Sequence, residues 1–146
     1  SAEEDVKKFF INEIRFYNET ESAPILAKQI NARSPEIRSE IIRALGTLKY
    51  KEIEPKLFEM YNTQPEDVKQ NIIAAVLELG TGNAVDFLKN AYEEADNWST
   101  KRSILKALYG YNEAGRQMFN VLETQANAHT AILFAHTKDL LINQIS

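Results

Sequence analysis

Residues 37–48 read Ile-Arg-Ser-Glu-Ile-Ile-Arg-Ala-Leu-Gly-Thr-Leu, and this pattern recurs along the chain at intervals of 31 or 32 residues. The next copy has Val68, Lys69, Ile72, Ile73, Ala75, Val76 and Leu79 at the matching positions, and the copy after it has Lys101, Ile104, Leu105, Ala107, Leu108 and Tyr111. The copy that precedes residues 37–48 has Val6, Lys7, Phe10, Ile11, Ile14 and Tyr17. Self-similarity at a fixed period of this length is typical of repeat proteins.

Each copy has the apolar spacing of a helix, with apolar residues at i, i+4, i+7 or i+8, and i+11. Ser34 followed by Pro35 predicts a helix start, with Ser34 as the N-cap. Pro65 repeats this arrangement one copy later, and Ser99 is the expected cap of the fourth copy. The repeated segment is therefore predicted to be a helix.

The segments between these helices also repeat, which predicts a shorter helix after each longer one. Aligned positions are Pro24 with Pro55, Leu26 with Leu57 and Leu88, and Ile30 with Tyr61 and Tyr92. We expect helices near residues 4–19, 22–32, 35–49, 52–62, 65–79, 83–95, 99–111, 114–126 and 128–144. They form a single domain, 1–146, with repeat units near 4–34, 35–64, 65–97, 98–127 and a partial unit 128–146.

A small residue occupies the middle of three long helices, at Ala44, Ala75 and Ala107. A short side chain at this position allows neighbouring helices to approach closely. The first copy has Glu13 instead, which is costly to bury without a partner. We therefore expect the first helix to be an end of the stack with one wet face, or to be covered by a missing segment.

At these residues the chain resembles HEAT repeats, particularly the short repeats of about 30 residues also found in phycobilin lyases. The resemblance covers residues 4–126 and, more loosely, His129 to His136. It implies an all-α fold, an α-solenoid (a right-handed superhelix) of stacked antiparallel helix pairs with about nine helices. It also implies a scaffold role, with the longer helices lining the inner curve. The glycine after the Ala-Leu pair departs from the pattern, since it is present only as Gly46.

Composition and motifs argue against several function classes. The net charge of −4 speaks against a nucleic-acid coat, and the chain has no Cys and no apolar run long enough to cross a bilayer. HExxH, Gly-rich phosphate-loop and Gly-x-Ser-x-Gly motifs are absent, so we expect no catalysis, cofactor or metal. We expect a cytoplasmic location. Because no initiator Met precedes Ser1, a soluble fragment of a longer, anchored protein is the alternative expectation.

The strongest local charge bias lies between Asn97 and Asn112, where three cations occur without an acid. Arg102 and Lys106 share a helical face with Tyr109, and Trp98 begins the segment. Arg, Trp and Tyr dominate binding hot spots, so this face is a candidate site for an acidic peptide. The alternative is structural: Trp98 packs at the hairpin junction and Tyr109 packs against a neighbouring helix.

The predicted partner-binding positions lie on the exposed side of the long helices, and we expect a protein or peptide partner there, on the inner face of the solenoid. They are Lys8, Asn12, Arg43, Gln70, Trp98, Arg102, Lys106 and Tyr109. Three alternatives stay open: a solvated face without a partner, a nucleic-acid-binding module related to HEAT-like DNA glycosylases, and a regulatory part of a larger enzyme.

A second basic set recurs three residues before each apolar pair, at Lys7, Arg38, Lys69 and Lys101. It is either a ladder for an anionic partner or, as we prefer, a set of ion pairs with nearby carboxylates. The candidate carboxylates are Glu4, Glu36, Glu66 and Asp67.

Overall fold

The computed structural model describes the backbone of residues 1–145 and the side chains of residues 1–143. Within that range the chain is all-α, with nine α-helices and no strand. They are α1 (Ala2–Phe16), α2 (Ala23–Lys28), α3 (Pro35–Thr47), α4 (Glu54–Met60), α5 (Glu66–Leu79), α6 (Ala84–Glu94), α7 (Trp98–Tyr111), α8 (Glu113–Thr124) and α9 (Ala128–Ile145). The predicted helices are confirmed. Residue 146, the last of the predicted partial repeat, lies outside the described residues.

The chain divides into two compact units, Ser1–Thr81 and Gly82–Ser146. In the first unit the long helices α1, α3 and α5 pack side by side in chain order, and the short helices α2 and α4 pack against α3 and α5. In the second unit α7 contacts α6, α8 and α9, and α6 contacts α8. Both units therefore pair longer helices with shorter ones.

The turn that follows each of the first three long helices has one repeated backbone geometry. Asn18, Lys49 and Gly80, spaced 31 residues apart, have φ values of 51°, 56° and 62°. This left-handed conformation ends many helices, and glycine and asparagine adopt it at the lowest cost. In the second repeat the amide of Tyr50 then donates to the carbonyl of Leu45 at 3.0 Å, which satisfies a carbonyl of the last helical turn.

Side-chain caps fix where two of the long helices begin. Ser34 is the N-cap of α3, as predicted, and its hydroxyl accepts the amide of Ile37 at 3.3 Å. The prediction for Ser99 is wrong because α7 begins one residue earlier, at Trp98. The side-chain oxygen of Asn97 accepts the amide of Thr100 at 2.8 Å and caps that helix.

The small residue of α5, Ala75, lies in tight contact with Gly46 of α3. Ala44 and Ala75 are 0% and 1% exposed, and a Cβ added to Gly46 would lie 3.0 Å from the Cα and Cβ of Ala75. The predicted close contact is therefore confirmed in the first unit, whereas Ala107 in the second unit is only half-buried. Glu13, at the same position of α1, is half-exposed, as expected for a wet face.

Candidate interaction surfaces

The second basic set, at Lys7, Arg38, Lys69 and Lys101, makes contacts within the protein, beginning with Arg38. The Arg38 guanidinium donates to the carbonyls of Ala32 and Arg33 at 2.7 and 2.9 Å, and to the side-chain oxygen of Gln64 at 2.9 Å. Those carbonyls belong to the turn that follows α2, where a cation complements exposed carbonyl groups. The predicted ion pair with a carboxylate is wrong for Arg38, because backbone carbonyls take its donors.

Lys101 repeats this arrangement in the second unit. Its ammonium group donates to the carbonyl of Tyr92 at 2.8 Å, in the last turn of α6, and lies 4.2 Å from the centre of the Tyr92 ring. Burial lowers the pKa of Lys101, with the nearby charge of Glu93 opposing that shift. The helix end and the ring together supply the negative potential that a carboxylate was expected to supply.

The other two members of the set differ from each other. Lys69 lies 5.2 Å from the centre of the Tyr61 ring, which again belongs to the segment before its own helix. Lys7 forms the predicted kind of ion pair, with Glu3 rather than Glu4, at 3.6 Å. The basic set is therefore mostly occupied by intramolecular contacts and is not a free ladder of charge.

The exposed side of α1, α3 and α5 carries a polar groove of about 550 Å³. Lys8 and Glu36 form an ion pair across α1 and α3 at the groove, and Arg43 lies 3.6 Å from a carboxylate oxygen of Glu40. The hydrogen bond with Glu36 raises the pKa of Lys8, and the same bond lowers the pKa of Glu36. The predicted cations Lys8 and Arg43 are thus both close to carboxylates, so the groove is mixed in charge rather than basic.

Two acceptor atoms, one on Asn12 of α1 and one on Glu40 of α3, are buried without a partner in the described part of the chain, and only Glu40 of these two residues lines the groove. The side-chain oxygen of Asn12 and the Oε2 atom of Glu40 are buried and have no hydrogen-bond partner among the described residues. Gln70, by contrast, donates to the carboxylate of Glu66 at 3.0 Å. Asn12 was identified from its repeat position, whereas Glu40 gave no signal because a polar residue on a helix surface is ordinary.

In the second unit, α7 presents cations of a different kind. Arg102 is exposed and Lys106 is half-buried, and neither forms an ion pair or a side-chain hydrogen bond with any described residue. Trp98, one turn before Arg102, is 54% exposed and lines a cavity of about 300 Å³ together with Lys101 and His129. Free cations and an exposed indole therefore lie along one side of this helix.

Tyr109 belongs partly to the core. Its ring packs edge to face on Phe119 at 5.0 Å, Phe119 packs on Phe134 at 5.0 Å, and Phe134 packs on Tyr92 at 5.9 Å. Phe119 and Phe134 are fully buried, whereas Tyr109 is half-buried. The alternative that Tyr109 packs on a neighbouring helix is confirmed, and only part of its ring is accessible.

The eight predicted positions are divided equally between the units. Lys8, Asn12, Arg43 and Gln70 lie in Ser1–Thr81, and the other four lie in Gly82–Ser146. Within the first unit the structure brings Lys8 and Arg43 to one groove. Within the second it places Trp98, Arg102 and Lys106 along α7.

The repeat and its contacts agree with a comparison to known families. A family model described as HEAT repeats matches residues 1–110. The chain belongs to the HEAT-repeat family, and its fold is all-α, of the α-solenoid class. Neither the curated proteins nor the solved structures contain a match to the chain. In the part of the chain that the structure describes, no helix has the length and apolar character needed to cross a membrane.

Proposed function

We propose that this chain is a non-catalytic scaffold that binds a partner protein or peptide on the exposed sides of its long helices. HEAT repeats typically act as scaffolds, which supports the general role. The more specific proposal is that α7 recognises an acidic segment of the partner. It rests on one observation: Arg102 and Lys106 have no carboxylate partner among the described residues.

The first unit provides the contrast that favours α7. Lys8 and Arg43 both lie beside carboxylates of the same protein, so a partner's acid would have to displace Glu36 or Glu40. Arg102 and Lys106 require no such exchange. The planar guanidinium of Arg102 suits bidentate pairing with a carboxylate. Trp98 adds an apolar surface one turn away, which suits a segment with both acidic and apolar residues.

The proposal is tested by using the intact chain to capture partner proteins and then crosslinking the chain to the proteins that it binds. The informative variant is Arg102→Glu with Lys106→Glu, and the charge-matched control is Lys28→Glu with Lys51→Glu. Lys28 and Lys51 are exposed cations elsewhere on the protein, without an ion pair to any described residue. We expect one or more partners that bind the wild type and the control but not the α7 variant. Absence of any partner, or equal loss from both variants, contradicts the proposal.

A second readout uses the single tryptophan of the chain. Because Trp98 lies one turn from Arg102, binding on this side of α7 should change its fluorescence. A titration with duplex DNA at several salt concentrations distinguishes the nucleic-acid alternative. Steep loss of affinity with salt would indicate phosphate contacts and would contradict a protein partner for this surface.

A further inference from the structure

One face of α1 is apolar and exposed from Val6 to the C-cap residue, Tyr17. Its residues are Val6, Phe9, Phe10, Phe16 and Tyr17, which are between 54% and 79% exposed. At 3.6 residues per turn they fall within an arc of about 120°, centred near Glu13. We call these five residues and Glu13 the α1 face.

The α1 face occupies repeat positions that are interior elsewhere in the first unit. Three of its members, Val6, Phe10 and Tyr17, correspond to Ile37, Ile41 and Leu48 of α3 and to Val68, Ile72 and Leu79 of α5. Those six equivalents are between 0% and 6% exposed. Gly46 of α3 lies on Ala75, the α5 residue that corresponds to Glu13. The α1 face is therefore the equivalent of the surface on which one repeat receives the repeat before it.

A solvated end of a repeat array normally has a polar outer face, and the α1 face is the opposite. Phe9 and Phe16 stand where the next repeat has Glu40 and Thr47. The first repeat thus has two aromatic rings that the next repeat lacks at these positions. Four rings that are more than half exposed, together with Val6, offer roughly 500 Å² of apolar surface. That area is a large part of the roughly 800 Å² that each side of a stable protein interface buries.

Glu13 limits what can cover this surface. Its carboxylate forms no ion pair or side-chain hydrogen bond with any described residue. A carboxylate enclosed by apolar contacts is costly unless a cation accompanies it. A second copy of this chain that paired α1 with α1 would bring a second unpaired Glu13 to the interface. The covering element therefore has to supply its own cation.

We propose that the α1 face binds a helical hairpin of the HEAT type, presented by a partner protein, with a Lys or Arg opposite Glu13. Because the α1 face continues the interface by which α1, α3 and α5 pack on one another, we expect its partner to be a helical hairpin of the same kind. The partner has to carry a cation because the carboxylate of Glu13 has no ion pair among the described residues. This surface is distinct from α7, so the inference does not depend on the function proposed above.

The experiment extends the full chain at its N-terminus by a copy of its own residues 34–64, joined directly before Glu3. This junction keeps the 31-residue period, because residue 65 aligns with residues 34 and 3. Gly46 of the copy then falls opposite Glu13, as Gly46 itself lies on Ala75. Because the hairpin is covalently linked, its effective concentration at the α1 face is high. Binding of the hairpin to this face can therefore be measured without knowing the natural partner.

Two versions of the copy form a matched pair, one that keeps Arg43 and one with Arg43→Glu. Arg43 lines the same groove as Ala75, the equivalent of Glu13, whereas Gly46 stays unchanged because a side chain there would overpack the contact. We expect the extended chain to lose most 1-anilinonaphthalene-8-sulfonate fluorescence relative to the unextended chain. We also expect a higher urea midpoint for the version that keeps Arg43 than for the Arg43→Glu version. The difference in midpoint should disappear when Glu13→Gln is introduced in the same chains. Unchanged dye binding, or a difference that persists with Glu13→Gln, would overturn the proposal.

The chain without the extension is used to test two other possible occupants of the α1 face, a second copy of the chain and a membrane. Phe10→Glu and Ile132→Glu are matched variants, since both side chains are exposed, at 60% and 71%, but only Phe10 belongs to the α1 face. We expect a monomer by sedimentation equilibrium and no binding to phosphatidylcholine–phosphatidylserine vesicles. A dimer, or vesicle binding, that Phe10→Glu abolishes and Ile132→Glu retains would assign the surface to a second copy or to a membrane and would contradict the proposal.

Discussion

Helices α1 and α3 have the same apolar pattern at the same place in their repeats, but different surroundings. Phe10 of α1 is 60% exposed, whereas Ile41, its equivalent in α3, is 1% exposed. The amino-acid sequence predicts which face is apolar in both α1 and α3. Whether that face is covered depends on a neighbouring helix, which is present beside α3 and absent beside α1 among the described residues.

The largest expected effect comes from truncating these two equivalent side chains. Ile41→Ala should destabilise the protein by about 2–5 kcal/mol, because it leaves a cavity in a packed interface. Phe10→Ala should change stability by less than about 0.5 kcal/mol, because most of its ring is already in water. Urea unfolding followed by circular dichroism measures both. Comparable losses would mean that α1 is covered as α3 is.

The next effect concerns overpacking at the crossing of α3 and α5. Ala75→Leu should cost about 1–3 kcal/mol, because Gly46 already approaches Ala75 closely. Gln70→Leu, on the same helix, should stay within about 0.5 kcal/mol because Gln70 is partly exposed. Equal denaturation midpoints for the two variants would show that the repeat alignment is incorrect.

The repeat made the helices and their apolar faces predictable, because the same residues at a fixed interval must have similar neighbours. The left-handed turn at Lys49 was not predictable, since lysine gives no local signal for it. The partner of Arg38 was missed for a related reason: its acceptors are backbone carbonyls, and every residue has one. Tyr109 could be assigned to a helical face, but its contact with Phe119 depends on how α7 and α8 pack.

A smaller effect is expected from the basic set, where equivalent cations have different partners. Arg38→Met should destabilise the protein by about 1–3 kcal/mol, because it leaves the carbonyls of Ala32 and Arg33 without these donors. Lys7→Met removes only an exposed ion pair with Glu3, worth at most about 1 kcal/mol. Thermal unfolding at matched pH and salt distinguishes them. A larger loss for Lys7→Met would contradict the assigned roles.

The last effect appears only at alkaline pH and concerns Tyr61, the residue directly after the short helix α4. Burial, assisted by the charge of Glu66, raises the pKa of Tyr61 to about 12. An unfolded chain ionises its tyrosines near pH 10, so between the two values the unfolded state loses the proton first. Stability from this residue is therefore full below pH about 10 and falls as pH rises towards about 12. Tyr61→Phe should flatten the dependence of the urea midpoint on pH, and an unchanged dependence would contradict the burial of the hydroxyl.

The most direct test compares the accessibility of one repeat position in three helices. The chain has no Cys, so Val6→Cys, Ile37→Cys and Val68→Cys each introduce a single thiol at equivalent positions of α1, α3 and α5. The native residues are 54%, 5% and 0% exposed. Under native conditions iodoacetamide should react with the thiol at position 6 at nearly the rate of an unfolded peptide. The thiols at positions 37 and 68 should react at least about a hundredfold more slowly, because they require local opening. Similar rates at all three positions would contradict the conclusion that α1 presents an uncovered repeat interface.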